Sequence, residues 1–139
     1  MAKISVFGIG YVGVVASACL ARDGHQVIAV DVDPSKIKAI NDGLSPIVEN
    51  GLADLIAEVV AAGKLTATSD VQYAIDHTEA SFVCVGTPSA ADGSVGLKYV
   101  SRVCENIGAA LANKADYHSV VIRSTFVPGS TDGTCIPAL

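Results

Sequence analysis

The chain has 139 residues, half of them apolar and 17% charged, with a formal net charge of −5. A single domain of this size buries a core without disulfide or metal staples. The acidic balance argues against non-specific nucleic-acid binding, which needs dense Lys and Arg to displace phosphate counterions, and no basic cluster marks a membrane surface.

From Ile4 to Ala21 there is no charged residue. A signal peptide or a spanning helix would read this way. Against both, Gly8, Gly10 and Gly13 fall within six positions, and each Gly inside a helix costs roughly 1 kcal/mol relative to Ala. The glycines make sense in another reading. "KISVF" is a short buried strand, "GIGYVG" is a G-x-G-x-x-G loop, and "YVGVVASACLARDG" is a helix stopped by Gly24. "HQVIAVD" is then a second apolar strand ending at Asp31, 18 positions past Gly13.

This strand–loop–helix–strand order is the setting of a dinucleotide-binding site. Gly8 allows the tight turn, Gly10 lets a pyrophosphate approach the backbone, and Gly13 lets the helix pack close to the strand. The amides of Tyr11 and Val12 open the helix, where the dipole favours an anion. Asp31 can accept hydrogen bonds from adenosine ribose hydroxyls and would repel a 2′-phosphate, which favours NAD over NADP. A Rossmann-like domain for another nucleotide or for S-adenosylmethionine would share the loop.

Further along, Asp33 caps a short helix with Pro34 at its first position and Gly43 as its stop. Lys36 lies in its first turn, toward the ribose end. "LSPIVENG" is a loop, "LADLIAEVVAAG" a helix and "KLTAT" a third strand. "SDVQ" reads as a capping box, with Ser69 as cap and Gln72 three residues on, opening a helix to about His77. "ASFVCVG" is a fourth strand, "GTPSAADGSVG" a loop, "LKYVSRVCENIGAALAN" a helix and "HSVVIRST" a fifth strand. The final "FVPGSTDGTCIPAL" starts a turn or helix.

The expected fold is α/β: a Rossmann-type doubly wound parallel sheet in three α/β/α layers, one dinucleotide-binding domain over residues 1–139, with a sixth strand falling outside the chain. Thr87 and Thr125 follow strands four and five, where their hydroxyls can reach a cofactor. His25, His77 and His118 read as surface or capping residues. Cys19, Cys84, Cys104 and Cys135 form no C-x-x-C pair and read as small apolar residues in a reducing compartment. No catalytic set can be assembled.

Together "ISVFGIGYVG", "GHQVIAVDVDPSKIKAIN", "SPIVENGL", "FVCVGTPS" and "VVIRSTFVPGS" resemble the start of the UDP-glucose/GDP-mannose 6-dehydrogenase family, in order and over essentially the whole chain. Arg123 in "VIRST" is nearer the GDP-mannose branch. The resemblance implies oxidation of a sugar nucleotide at C6 to a carboxylate with two NAD+, for polysaccharide synthesis such as that of alginate. It implies Tyr11, Val12, Asp31, Lys36, Thr87 and Thr125 as NAD contacts, and an acidic residue of unassigned role at Glu49. It also requires a nucleophilic Cys in a "GGxCxxKD"-like motif, plus a Lys and an Asn on a central helix. None of these occurs here, and Cys135 in "TDGTCIPA" does not match.

The expectation is therefore a cytoplasmic cofactor domain cut before its catalytic half, with the sugar nucleotide bound only by the missing domains. A free-standing NAD-binding or sensing module is the alternative. A hydroxyacid dehydrogenase would share the glycine loop but leave "SPIVENGL" unexplained. An open sheet edge and an uncovered helix face predict self-association.

Overall fold

A computed structural model describes residues 1–89, 91–93 and 96–139. Three positions of the loop expected over 86–96 lie outside the described residues. The elements run β1 (Lys3–Phe7), α1 (Tyr11–Arg22), β2 (Gln26–Val30), α2 (Pro34–Asn41), α3 (Leu52–Ala61), β3 (Leu65–Thr68), α4 (Val71–Asp76), β4 (Ala80–Val83), α5 (Lys98–Leu111) and β5 (Ser119–Ile122). A π-helical turn over Thr131–Cys135 then leads into a short α6 (Ile136–Ala138). The strands form one parallel sheet in the order β3-β2-β1-β4-β5.

Both faces of the sheet are covered, so its central strands are apolar on both sides. In β1, Ile4 and Val6 pack with Val14 and Ala18 of α1 and with Ile56 and Val59 of α3. Phe7 faces the other way and packs with Ala74 and Ile75 of α4 and Ile107 of α5. The chain leaves β1 toward β2 and later leaves β4 toward β5, in opposite directions. Right-handed crossovers therefore put α1 and α5 on opposite faces and open a crevice between the C-terminal ends of β1 and β4. The uncharged opening run is thus a strand, a loop and a helix. Among the described residues no helix is long and apolar enough to cross a membrane.

The expected helix signals hold at three ends. Asp33 accepts the Ser35 amide at 2.9 Å and Pro34 follows it. Gly24 and Gly43, at φ 98° and 74°, stop α1 and α2 as left-handed caps. The capping box before α4 does not form. Asp70, not Ser69, is the cap, and its carboxylate accepts the Tyr73 amide at 2.9 Å. An ionised oxygen is the stronger acceptor for that amide. Gln72 instead donates along the helix to Asp76.

His118 is also more than a surface residue. Its Nε2 lies 2.7 Å from Ser81 Oγ, itself 2.7 Å from Ser5 Oγ, and both serines are fully buried. His118 Nδ1 is 3.2 Å from the Thr78 carbonyl. A carbonyl only accepts, so Nδ1 carries the proton and Nε2 accepts from Ser81. Burial, helped by the nearby Lys114 ammonium, holds the imidazole below its ordinary value. The ring thus closes a hydroxyl chain between β1, β4 and β5 at the end of the sheet away from the crevice.

Candidate cofactor site

Three glycines build the crevice for three different reasons. Gly8 has φ 101°, and a Cβ there would stand 3.1 Å from the backbone of Cys84 and Val85. A Cβ on Gly13 would lie 1.7 Å from the Gly8 carbonyl oxygen. Both are glycines because the chain packs against itself. Gly10 differs. Its backbone is extended, at φ −92° and ψ −165°, and a Cβ would meet nothing within 4 Å. No contact within the chain requires glycine at this position. The space in front of it lies open at the start of α1.

That start is an anion site by construction. Gly10 is the N-cap and its carbonyl accepts the Val14 amide at 3.0 Å. The amides of Tyr11, Val12 and Gly13 precede the first intrahelical bond and have no acceptor in the helix. The positive end of the helix dipole lies at the same place.

Asp31 fixes this loop in position. Its Oδ2 accepts the Ile9 amide at 2.7 Å and its Oδ1 accepts the Asp33 amide at 3.0 Å. The Gly8 amide bonds the Val30 carbonyl at 2.8 Å. Each carboxylate oxygen retains a further lone pair for a ligand hydroxyl.

A cleft of about 650 Å³ opens over the loop. Of the residues singled out from sequence, Gly8, Gly10, Asp31 and Lys36 line it. Gly13 is buried behind them, and Tyr11 and Val12 sit exposed at the start of the helix. Thr87 and Thr125 come together beside the cleft, Thr87 lying between the lining residues Gly86 and Pro88. The Thr87 hydroxyl donates to the Thr125 carbonyl at 2.6 Å, which ties the loops after β4 and β5 to one another. Tyr11 donates its hydroxyl to the Val48 carbonyl at 3.0 Å, and the adjacent Glu49 carboxylate raises the phenol above its ordinary value. Glu49 thereby gains a place, in the loop docked on the first residue of α1.

Sequence reasoning missed the second wall of the cleft. Tyr99, Arg102, Val103 and Asn106 line it from one face of α5. The apolar stripe of Val100, Cys104 and Ile107 marks the face of α5 that packs on the sheet, but nothing local says which of its flanks borders the cleft. Cys84 lines the floor, and burial raises its thiol. Burial and the neighbouring Cys135 push the Cys104 thiol up to about 12. Neither is a thiolate at neutral pH. Cys84, Cys104 and Cys135 are all buried, as their apolar surroundings suggest, while Cys19 is half-buried.

The donor set suits a dinucleotide: free amides and open space for a pyrophosphate, a fixed carboxylate for ribose hydroxyls, and apolar walls beyond. Comparison with known proteins gives the same answer. The sequence model of the UDP-glucose/GDP-mannose dehydrogenase family's NAD binding domain matches residues 2–139. The chain belongs to this family. It is 48% identical over 137 residues to a GDP-mannose 6-dehydrogenase of Azotobacter vinelandii, covering 99% of this chain and 31% of that protein. It is 38% identical over 131 residues to a UDP-glucose 6-dehydrogenase of Bacillus subtilis, covering 94% and 28%. A crystal structure of a ternary complex of GDP-mannose dehydrogenase from Pseudomonas aeruginosa superposes with a TM-score of 0.96 at 47% identity, over 97% of this chain and 31% of that one. The chain thus spans about a third of the length of the relatives it matches.

The glycines give a paired test. Gly13→Ala should lower unfolding stability by at least about 3 kcal/mol, since the added methyl meets backbone. Gly10→Ala should change stability by about 1 kcal/mol or less yet weaken NAD+ binding about tenfold or more, or 1.4 kcal/mol. Urea unfolding and calorimetric titration of the two variants would separate these effects.

Proposed function

We propose that residues 1–139 are the dinucleotide-binding unit that holds NAD+ for a nucleotide-sugar 6-dehydrogenase acting on GDP-mannose. The observation that carries this reading is the juxtaposition at the start of α1 of open space at Gly10, helix amides without an intrahelical acceptor and the fixed carboxylate of Asp31. Tyr11, Val12 and Gly13 donate amides to the pyrophosphate, Asp31 accepts from the adenosine ribose, and Lys36 stands at the ribose end. Thr87 and Thr125, held together, shape the far side of the crevice. When bound, NAD+ would supply the hydride acceptor. The thiol chemistry and the sugar-nucleotide pocket belong to other segments of such an enzyme.

The GDP-mannose branch is favoured because relatives with that name are 46–48% identical to the chain, against 38–43% for those named for UDP-glucose. Arg123 in "VIRST" points the same way. Four free cysteines fit a reducing compartment, and we place the protein in the cytoplasm. Copies of the chain should also associate, because β5 is an edge strand, Val121 within it is 41% exposed and Tyr117 just before it is 87% exposed.

Calorimetric titration tests the cofactor reading. The chain should bind NAD+ more tightly than NADP+. Asp31→Ala should weaken NAD+ by about 10- to 100-fold, the effect of about 1.5–3 kcal/mol for a charged hydrogen bond. No NAD+ binding at millimolar concentration by a chain with native circular dichroism would overturn it. Light scattering at micromolar concentrations should give a mass above the 14.1 kDa monomer; a sharp monomer at all concentrations would remove the association.

A further inference from the structure

Resting on the NAD+ reading, we propose that Arg102 is an adenine-binding residue whose guanidinium stacks on the adenine ring. Past Asp31, the cleft continues between Val32, Ser69 and Val71 on one side and Arg102, Val103 and Asn106 of α5 on the other. Valines on both sides make an apolar slot suited to a flat base. Arg102 is exposed, and among the described residues no acidic side chain lies within ion-pair distance of it. Lys36, the other cation lining the cleft, likewise has no acidic side chain within ion-pair distance among the described residues, but its ammonium is a point charge with no plane to lay on a base.

A guanidinium is planar, weakly hydrated and stacks on π faces, and a purine offers the largest such face in a dinucleotide. A 2′-phosphate would also attract Arg102. Asp31 argues against it, because the Ile9 and Asp33 amides hold that carboxylate at the ribose end, where it repels a phosphate. Adenine is therefore the partner.

The experiment is titration of the full chain and its Arg102→Ala and Arg102→Lys variants with NAD+, ADP-ribose and NADP+, with unfolding midpoints measured in parallel. Arg102→Ala should weaken NAD+ and ADP-ribose alike by about 3- to 30-fold, the range of a cation–π contact. Arg102→Lys, which keeps the charge and loses the plane, should fall between. The unfolding midpoints should not move, because the side chain is exposed; a merely structural role would shift them. Unchanged affinity for NAD+ and ADP-ribose in Arg102→Ala would overturn the stacking role and leave the NAD+ site intact. A loss confined to NADP+ would overturn it too, by identifying a phosphate contact. Failure of the wild-type chain to bind either adenine ligand would bring down the NAD+ reading and this one with it.

Discussion

The carboxylate of Asp31 accepts two backbone amides, from Ile9 in the glycine loop and from Asp33 at the head of α2. Hydrogen bonds to a charged group contribute about 1.5–3 kcal/mol each. One side chain at the end of β2 therefore fixes both the loop that opens α1 and the turn that opens α2. With the loop held, the Gly8 carbonyl lies against Gly13 so closely that no side chain fits between them. The start of α1 then faces the crevice with its amides unsatisfied. The same carboxylate that orders the loop keeps a further lone pair on each oxygen, so in the proposed reading one group both fixes the local structure and receives the ribose.

The two ends of the sheet do different work. At the C-terminal ends of the strands, polar groups are left open to the crevice. At the opposite end they are closed among themselves, where Ser5, Ser81, Thr78 and His118 satisfy one another and Lys114 bonds the carbonyls of Ile75 and Thr78 at 2.5 Å each. Buried polar groups that pair internally stiffen the strands without offering a ligand anything to bind. Burial raises the thiols of Cys84 and Cys104, away from the thiolate form.

Much of this was legible in the sequence because it depends on local constraints. The glycine spacing, the acidic residue 18 positions on, the Asp33–Pro34 start and the stops at Gly24 and Gly43 are each set by a few neighbouring residues. What escaped depends on tertiary placement. Ser69 and Asp70 are adjacent candidates for one cap, and only the direction of the incoming chain selects Asp70. His118 looks solitary until β4 brings Ser81 beside it. The α5 wall needs the crossover that turns Tyr99, Arg102 and Asn106 toward the crevice. The bond from the Thr87 hydroxyl to the Thr125 carbonyl likewise depends on the pairing of β4 with β5, which brings the two following loops together.

The most direct test of the central claim is to follow the backbone amide resonances of the isotopically labelled chain as NAD+ is added. Each peak reports one donor of the proposed cradle. The account predicts that Gly10, Tyr11, Val12 and Gly13 shift together and saturably, with Ile9 and Asp33 responding through Asp31, while Ser81 and Ser119 at the other end of the sheet stay still. Shifts scattered over the surface, or confined to residues away from the glycine loop, would contradict it.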